Sequence, residues 1–201
     1  MTGDWVVTLI GKLGYAGIAL LMFAETVFPP IPSEVIMPLA GMQAARGPMS
    51  IVGVILAGSA GAMLGNMLWF ALARALGVDR VRTFIGRHGR WLTIEWRDVE
   101  RGRRAMERRG RWFVCLGRLI PTVRSIVSIP AGLLRMRWGG FLVWSAVGTM
   151  AWTSLLTLAG AYLGQRFGMV ERIVSPIATG VIVLLALAYL WRVARRPRRQ
   201  D

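Results

Sequence analysis

Glu25-Thr26-Val27-Phe28-Pro29-Pro30-Ile31-Pro32-Ser33-Glu34 is the stretch on which the fold turns. Before it, Tyr15 to Phe28 is apolar apart from Glu25 and Thr26 and reads as a membrane helix. Pro29, Pro30 and Pro32 stop that helix, because proline lacks an N–H and disfavours helix in the residue before it. Ser33 suits the cap of a new helix, and a second apolar arm runs from Glu34 to about Ala45. Neither arm has the ~17 residues needed to cross a bilayer. The pair predicts a re-entrant helical hairpin over 15–45, a form tolerated only where it is buried in protein or lines a watery cavity.

The same design recurs downstream as Gly117-Arg118-Leu119-Ile120-Pro121-Thr122-Val123-Arg124. The apolar segment 112–134 is broken at Pro121 and Pro130, which predicts a second re-entrant hairpin. Full spans are expected at 49–73, 138–163 and 173–191. Ala57, Gly61 and Gly65 put a small face on the first span, and Gly160 and Gly164 put one on the second, suited to packing within one chain or between copies. Asn66, beside the first face, reads as an interhelical hydrogen-bond donor. Residues 1–14 read as an interfacial helix with Trp5 at the headgroup level.

Segments 74–111 and 192–201 are both rich in arginine and are therefore expected in the cytoplasm. Two spans separate them, so 112–134 must dip in and return, and the two hairpins would meet tip to tip from opposite faces. The expected architecture is all-α: a polytopic membrane protein with two opposed re-entrant hairpins, about three full transmembrane helices and amphipathic helices. The expected domains are the interfacial helix 1–14, one membrane domain over 15–191 and a basic tail over 192–201, in a bacterial cytoplasmic membrane with the C-terminus inside.

Composition supports a membrane protein. The chain has 201 residues, is 55% hydrophobic and has a mean hydropathy of +0.51, too apolar for an ordinary soluble domain. Its net charge of +15 is compatible with nucleic-acid binding. The arginines, however, cluster between and after the hydrophobic segments, as membrane orientation requires, so no nucleic-acid partner is expected. Cys115 is the only cysteine, which rules out an intrachain disulfide, and His88 is the only histidine. The N-terminus lacks the basic region and small-residue cleavage site of a removable signal.

Glu25, Glu34, Arg118 and Arg124 lie inside or beside apolar runs. Charged groups there are costly and functional by default. Arginine keeps its charge and offers a planar fork for phosphate or carboxylate; a desolvated carboxylate can take up a proton. The set suggests that Arg118 and Arg124 bind an anionic headgroup while Glu25 and Glu34 compete for them or carry protons. The plainer reading is two internal salt bridges that lock the hairpins together. A phosphatase would need well-placed histidines or clustered acids, and neither pattern is present, so no enzyme, cofactor or metal is expected. Glu95, Asp98, Glu100 and Glu107 alternate with arginines at helical spacing, as on a solvated helix.

At these residues the chain resembles the DedA family of bacterial membrane proteins, also called the SNARE-associated or VTT-domain family. The resemblance rests on Glu25 to Glu34 with Val35 to Gly41, on Gly117 to Arg124, on Pro130-Ala131-Gly132 and Met136, and on Gly61, Gly65-Asn66 and Gly77. It implies two opposed re-entrant hairpins, each followed by a span. It also implies movement of lipids between leaflets, with undecaprenyl phosphate recycling as the expected activity, dependence on proton-motive force, and essential roles for Glu25, Glu34, Arg118 and Arg124. A phospholipid flippase or scramblase using the same site is the alternative. The family often has a tyrosine near position 70, where this chain has Trp69-Phe70.

Overall fold

A computed structural model describes residues 4–28, 33–47, 49–92, 96–124 and 126–166. All regular structure among them is helical: α1 (Asp4–Val27), α2 (Ser33–Arg46), α3 (Ile51–Leu92), α4 (Trp96–Arg109), α5 (Trp112–Arg118), α6 (Pro121–Arg124), α7 (Ser128–Leu133) and α8 (Trp138–Arg166). Three stretches are long and apolar enough to cross a membrane: Thr8–Val27, Ile51–Gly86 and Trp138–Gly164. Their outer faces carry exposed Leu56, Leu64, Val143 and Leu155, an apolar skirt that a water-soluble protein would not display. This is a polytopic helical membrane protein. The expected span 173–191, the tail 192–201 and the Trp5 side chain lie outside the described residues.

The helix before the first prolines is in two pieces, and their junction falls where the apolar run begins. It begins at Asp4 and bends at Gly14, whose φ of 55° is one that glycine adopts without steric cost. Across that kink the stretch Thr8–Val27 is long and apolar enough to cross a membrane, while the arm after Gly14, residues 15–27, is shorter than the ~17 residues a straight span needs. α3 likewise continues past the expected end of its span and bends at Gly77, with φ 76°. The segment 112–134 divides into α5, α6 and α7, none of which could span alone. Its breaks fall at Leu119–Ile120 and, among the described residues, at Ile126–Val127. Pro130, expected to be a break, instead sits buried in the first turn of α7, where helical N–H groups have no intrahelical acceptor and its missing donor costs nothing. Pro121 opens α6, directly after the first break, while Pro29, Pro30 and Pro32 lie outside the described residues.

Packing follows one rule in both halves. α1 packs on α3, the long helix of its own half, and α5 packs on α8, the long helix of its own half. α2 packs instead on α8, and α7 on α3, so each half lends its second arm to the other. The glycine faces serve these contacts within a single chain. A side chain at Gly61 would run into the backbone of Ala19 on α1, and one at Gly160 into the backbone of Pro38 on α2. Polar ties reinforce the seams: the Ser50 N–H donates to Tyr15 Oη at 2.8 Å, Ser59 Oγ and Thr153 Oγ1 share a bond of 2.8 Å, and Arg46 Nε donates to Gly164 O at 3.0 Å.

This packing makes a testable prediction. Gly160→Val should destabilise the fold by about 1–3 kcal/mol or more, because backbone rather than a movable side chain occupies the space. Gly139→Val, with open space around it, should change stability by less than about 1 kcal/mol. Thermal melting in detergent would compare them.

Outside the bundle, α4 buries Val99 and Met106 against its neighbours and exposes Arg97, Arg101, Arg104 and Arg108. Arg103 donates to Glu100 at 2.7 Å, which lowers the Glu100 carboxyl below its ordinary range, and lies 3.5 Å from Glu107. These are the i,i+3 and i,i+4 pairs expected of a solvated helix.

Candidate functional site

Glu25 lies in the last turn of α1, Arg118 ends α5 and Arg124 ends α6, so the charges gather where helices stop. Glu25 is buried and pairs with Arg124. Arg124 also sits 6.0 Å from the centre of the Trp152 ring, within cation–π range. On the other side of Glu25, Thr26 Oγ1 donates to Met22 O at 2.8 Å and lies 3.4 Å from Glu25 Oε2. Trp69 Nε1 donates to Thr26 O at 3.1 Å. Tryptophan at this position therefore fastens α3 to the end of α1.

Arg118 is 3% exposed, yet no carboxylate among the described residues lies within ion-pair distance of it. Neutral groups hold it. Its Nη1 donates to Asn66 Oδ1 at 2.8 Å and to the carbonyl of Arg124; its Nη2 donates to Ser128 Oγ at 2.8 Å and to Ser145 Oγ at 3.1 Å. Four elements, α3, α6, α7 and α8, thus converge on one guanidinium, which also lies 5.9 Å from the Phe141 ring centre. Gly148 lets this happen: a side chain there would come within 2.8 Å of Arg118 Cβ. Arg118 Nε and Trp152 Nε1 are buried with no hydrogen-bond acceptor among the described residues.

Glu25, Asn66, Arg118, Arg124, Trp152 and Thr153 face a common cavity of about 20 Å³, room for a water molecule but not for a phosphate group. One carboxylate against two guanidiniums leaves one net positive charge in this buried set. An uncompensated charge in a low-dielectric interior is expensive. The arrangement is closed, positively charged and furnished with spare donors, which suits an anion that enters when the cavity widens.

Three of the four residues singled out from sequence therefore meet. Glu34 does not join them: it is exposed in the first turn of α2. Ser33, the expected cap, is buried at the start of α2 with an Oγ unpaired among the described residues.

A model of the VTT domain matches residues 31–162. The chain belongs to the VTT-domain family. That match contains Glu34, Arg118 and Arg124, whereas Glu25 precedes it. Among curated relatives, undecaprenyl phosphate transporter A of Staphylococcus aureus is 30% identical, over 94% of this chain and 97% of its own. The protein of the same name from Bacillus subtilis is 29% identical, over 89% and 86%. An alkaline phosphatase-like protein of Lactococcus lactis is 32% identical, over 92% and 87%. No solved structure matches.

In this VTT-domain protein several site residues escaped the sequence reading. Asn66, expected to donate, accepts: a guanidinium can only donate, so the amide oxygen must face it. Ser145, Thr149, Thr153 and Thr157 recur every fourth residue on α8, and all are buried. That spacing puts hydroxyls on one helix face and was a legible signal of a polar seam. Ser128 and Trp152 carried no comparable pattern.

Proposed function

We propose that the protein carries undecaprenyl phosphate across the cytoplasmic membrane of a bacterium, returning the carrier lipid from the outer to the inner leaflet. The supporting observation is the buried surplus positive charge of Arg118 and Arg124 over Glu25. A phosphate monoester carries roughly −1.5 to −2 near neutral pH and would neutralise that surplus, accepting from the arginine forks and from the spare donors Arg118 Nε and Trp152 Nε1. The family and the two relatives named as undecaprenyl phosphate transporters favour this headgroup over other anions.

The closed cavity sets the order of events. Arg124 is engaged by Glu25 and must be released before it can turn to phosphate. A proton on Glu25 would remove its charge and weaken the pair; phosphate would then take the freed fork. On release of the lipid, deprotonated Glu25 would recapture Arg124 and close the site. Glu34, exposed near the hairpin tip, would deliver protons or gate entry. The hairpins at 15–45 and 112–134 would be re-entrant and opposed, and their exchanged second arms provide an interface about which the site could open to alternate faces. The C-terminus would lie in the cytoplasm. A homo-oligomer is not required, since the glycine faces are occupied within one chain.

The phosphatase-like name of the Lactococcus relative does not carry over to this site. Among the described residues the charged set offers a single carboxylate, already engaged by Arg124, and no histidine or cysteine lines its cavity to act as a nucleophile.

The test is translocation in proteoliposomes, with and without a pH gradient, for the wild type, Glu25→Gln and Arg124→Ala. Gradient-sensitive movement of undecaprenyl phosphate that both variants lose supports the proposal. Intact transport in both refutes it. Movement that ignores the gradient, and includes labelled phospholipid, would make the protein a scramblase and Glu25 a structural or gating residue.

A further inference from the structure

A second arginine pair lies apart from the Glu25 cluster. Ala71, Arg74 and Ala75 of α3, with Arg135 and Trp138 at the turn from α7 into α8, line an open cavity of about 400 Å³. No acid lines it. Arg74 Nη1 donates to Met136 O at 2.8 Å, and the guanidinium lies 6.0 Å from the Phe70 ring centre, so this fork is fixed in place. Trp138 opens the apolar stretch of α8 and is 41% exposed, as an aromatic at headgroup depth would be.

Arg135 is the informative residue. Its φ of 50° makes it the sole non-glycine with positive φ among the described residues. The turn is a helix C-terminus in which Arg135 N–H donates to Gly132 O at 3.0 Å and Met136 N–H to Ala131 O at 3.1 Å. Glycine is the unstrained choice at such a position. An arginine that bears backbone strain while projecting into a cavity beside a second arginine points to a role for its side chain.

We propose that Arg74 and Arg135 form a second binding site for a phosphate monoester, distinct from the Glu25–Arg118–Arg124 cluster. Two guanidiniums with no opposing carboxylate match a dianionic phosphate. Trp138 and the small Ala71 and Ala75 leave an apolar wall for the first part of a lipid tail. The two arginine sites are joined by packed rings. Phe70 stacks on Phe141 at 4.1 Å and meets Trp138 edge-on at 4.8 Å; Arg74 lies over the first ring and Arg118 over the second. A headgroup held at the surface would then lie across this ring stack from the buried site. The second site does not depend on the transport reading, since it would bind phosphate whether or not the protein moves lipid.

The experiment counts bound ligand by native mass spectrometry of the purified full chain in detergent, titrated with farnesyl phosphate or with inorganic phosphate. The wild type should bind two farnesyl phosphates. Arg135→Gly should weaken one binding event about tenfold while leaving the melting temperature unchanged or higher, because glycine relieves the strained φ. Arg74→Gln should weaken the same event, and Arg124→Gln the other. Tighter binding of farnesyl phosphate than of inorganic phosphate at the Arg135-dependent site identifies a lipid headgroup; equal binding identifies the free ion. Wild-type binding of both molecules by Arg135→Gly overturns the inference. So does a wild type that binds a single molecule lost in Arg124→Gln, a result that would leave the transport reading standing. Loss of the Arg124-dependent event alone from the wild type would count against the transport reading and leave the second site intact.

Discussion

Glu25→Ala is expected to destabilise the protein by about 3–5 kcal/mol, the usual consequence of leaving a buried charge without its partner. The variant would keep Arg118 and Arg124 together in a buried space with no carboxylate pairing either of them. Arg124→Gln should cost less, because the remaining Glu25 and Arg118 balance in charge. The double variant Glu25→Ala/Arg124→Gln restores the wild-type surplus of one positive charge and should recover much of the stability lost in Glu25→Ala. A double-mutant cycle read by thermal melting in detergent would measure this. Equal destabilisation by Glu25→Ala and Arg124→Gln, with no recovery in the double variant, would show a simple lock with no charge surplus. The double variant should still fail to transport, since its remaining arginine cannot clamp a phosphate alone. A variant that folds but does not carry lipid separates a binding site from a structural bridge.

Arg118→Gln should reduce transport by at least about 100-fold, from the loss of two or more charge-assisted bonds to phosphate at about 1.5–3 kcal/mol each. Its effect on stability should be small by comparison. Glutamine can still donate to Asn66 or Ser128, and the change removes a buried charge that no carboxylate compensates. Arg118→Lys should fall between: the charge survives, but a single ammonium cannot reach Asn66, Ser128 and Ser145 while also turning to phosphate. Initial rates normalised to folded protein would check both. A large loss of folded yield in Arg118→Gln with normal transport by the surviving protein would make Arg118 a structural residue.

The charged residues of the site were legible because the membrane makes them conspicuous. Glu25, Arg118 and Arg124 stand in apolar runs beside prolines, and that composition announced their meeting before any contact was seen. Glu34 carries the same sequence signal but faces outward; composition gives proximity to a hairpin tip, not the direction of a side chain. The plainer, salt-bridge reading gives Arg118 a carboxylate partner; it is instead held by an amide, a backbone carbonyl and two hydroxyls. Neutral partners leave little trace in a sequence, apart from the four-residue recurrence of Ser145, Thr149, Thr153 and Thr157 on α8. The kink of α1 falls at Gly14, where the mixed stretch before Tyr15 gives way to the apolar arm, so that junction is legible in the sequence. The exchange of second arms between halves was beyond reach, since both α2 and α7 have apolar faces that suit either long helix.

Under the proposed function, the buried arginines recognise a phosphate monoester headgroup. Wild-type protein in proteoliposomes, given undecaprenyl phosphate and labelled phosphatidylcholine together, tests it most directly. The polyprenyl phosphate should cross at least about tenfold faster than the zwitterionic lipid, as one lost charge-assisted bond would dictate, and Arg118→Gln should abolish the difference. Equal rates for the two lipids in the wild type, unchanged in Arg118→Gln, would contradict it.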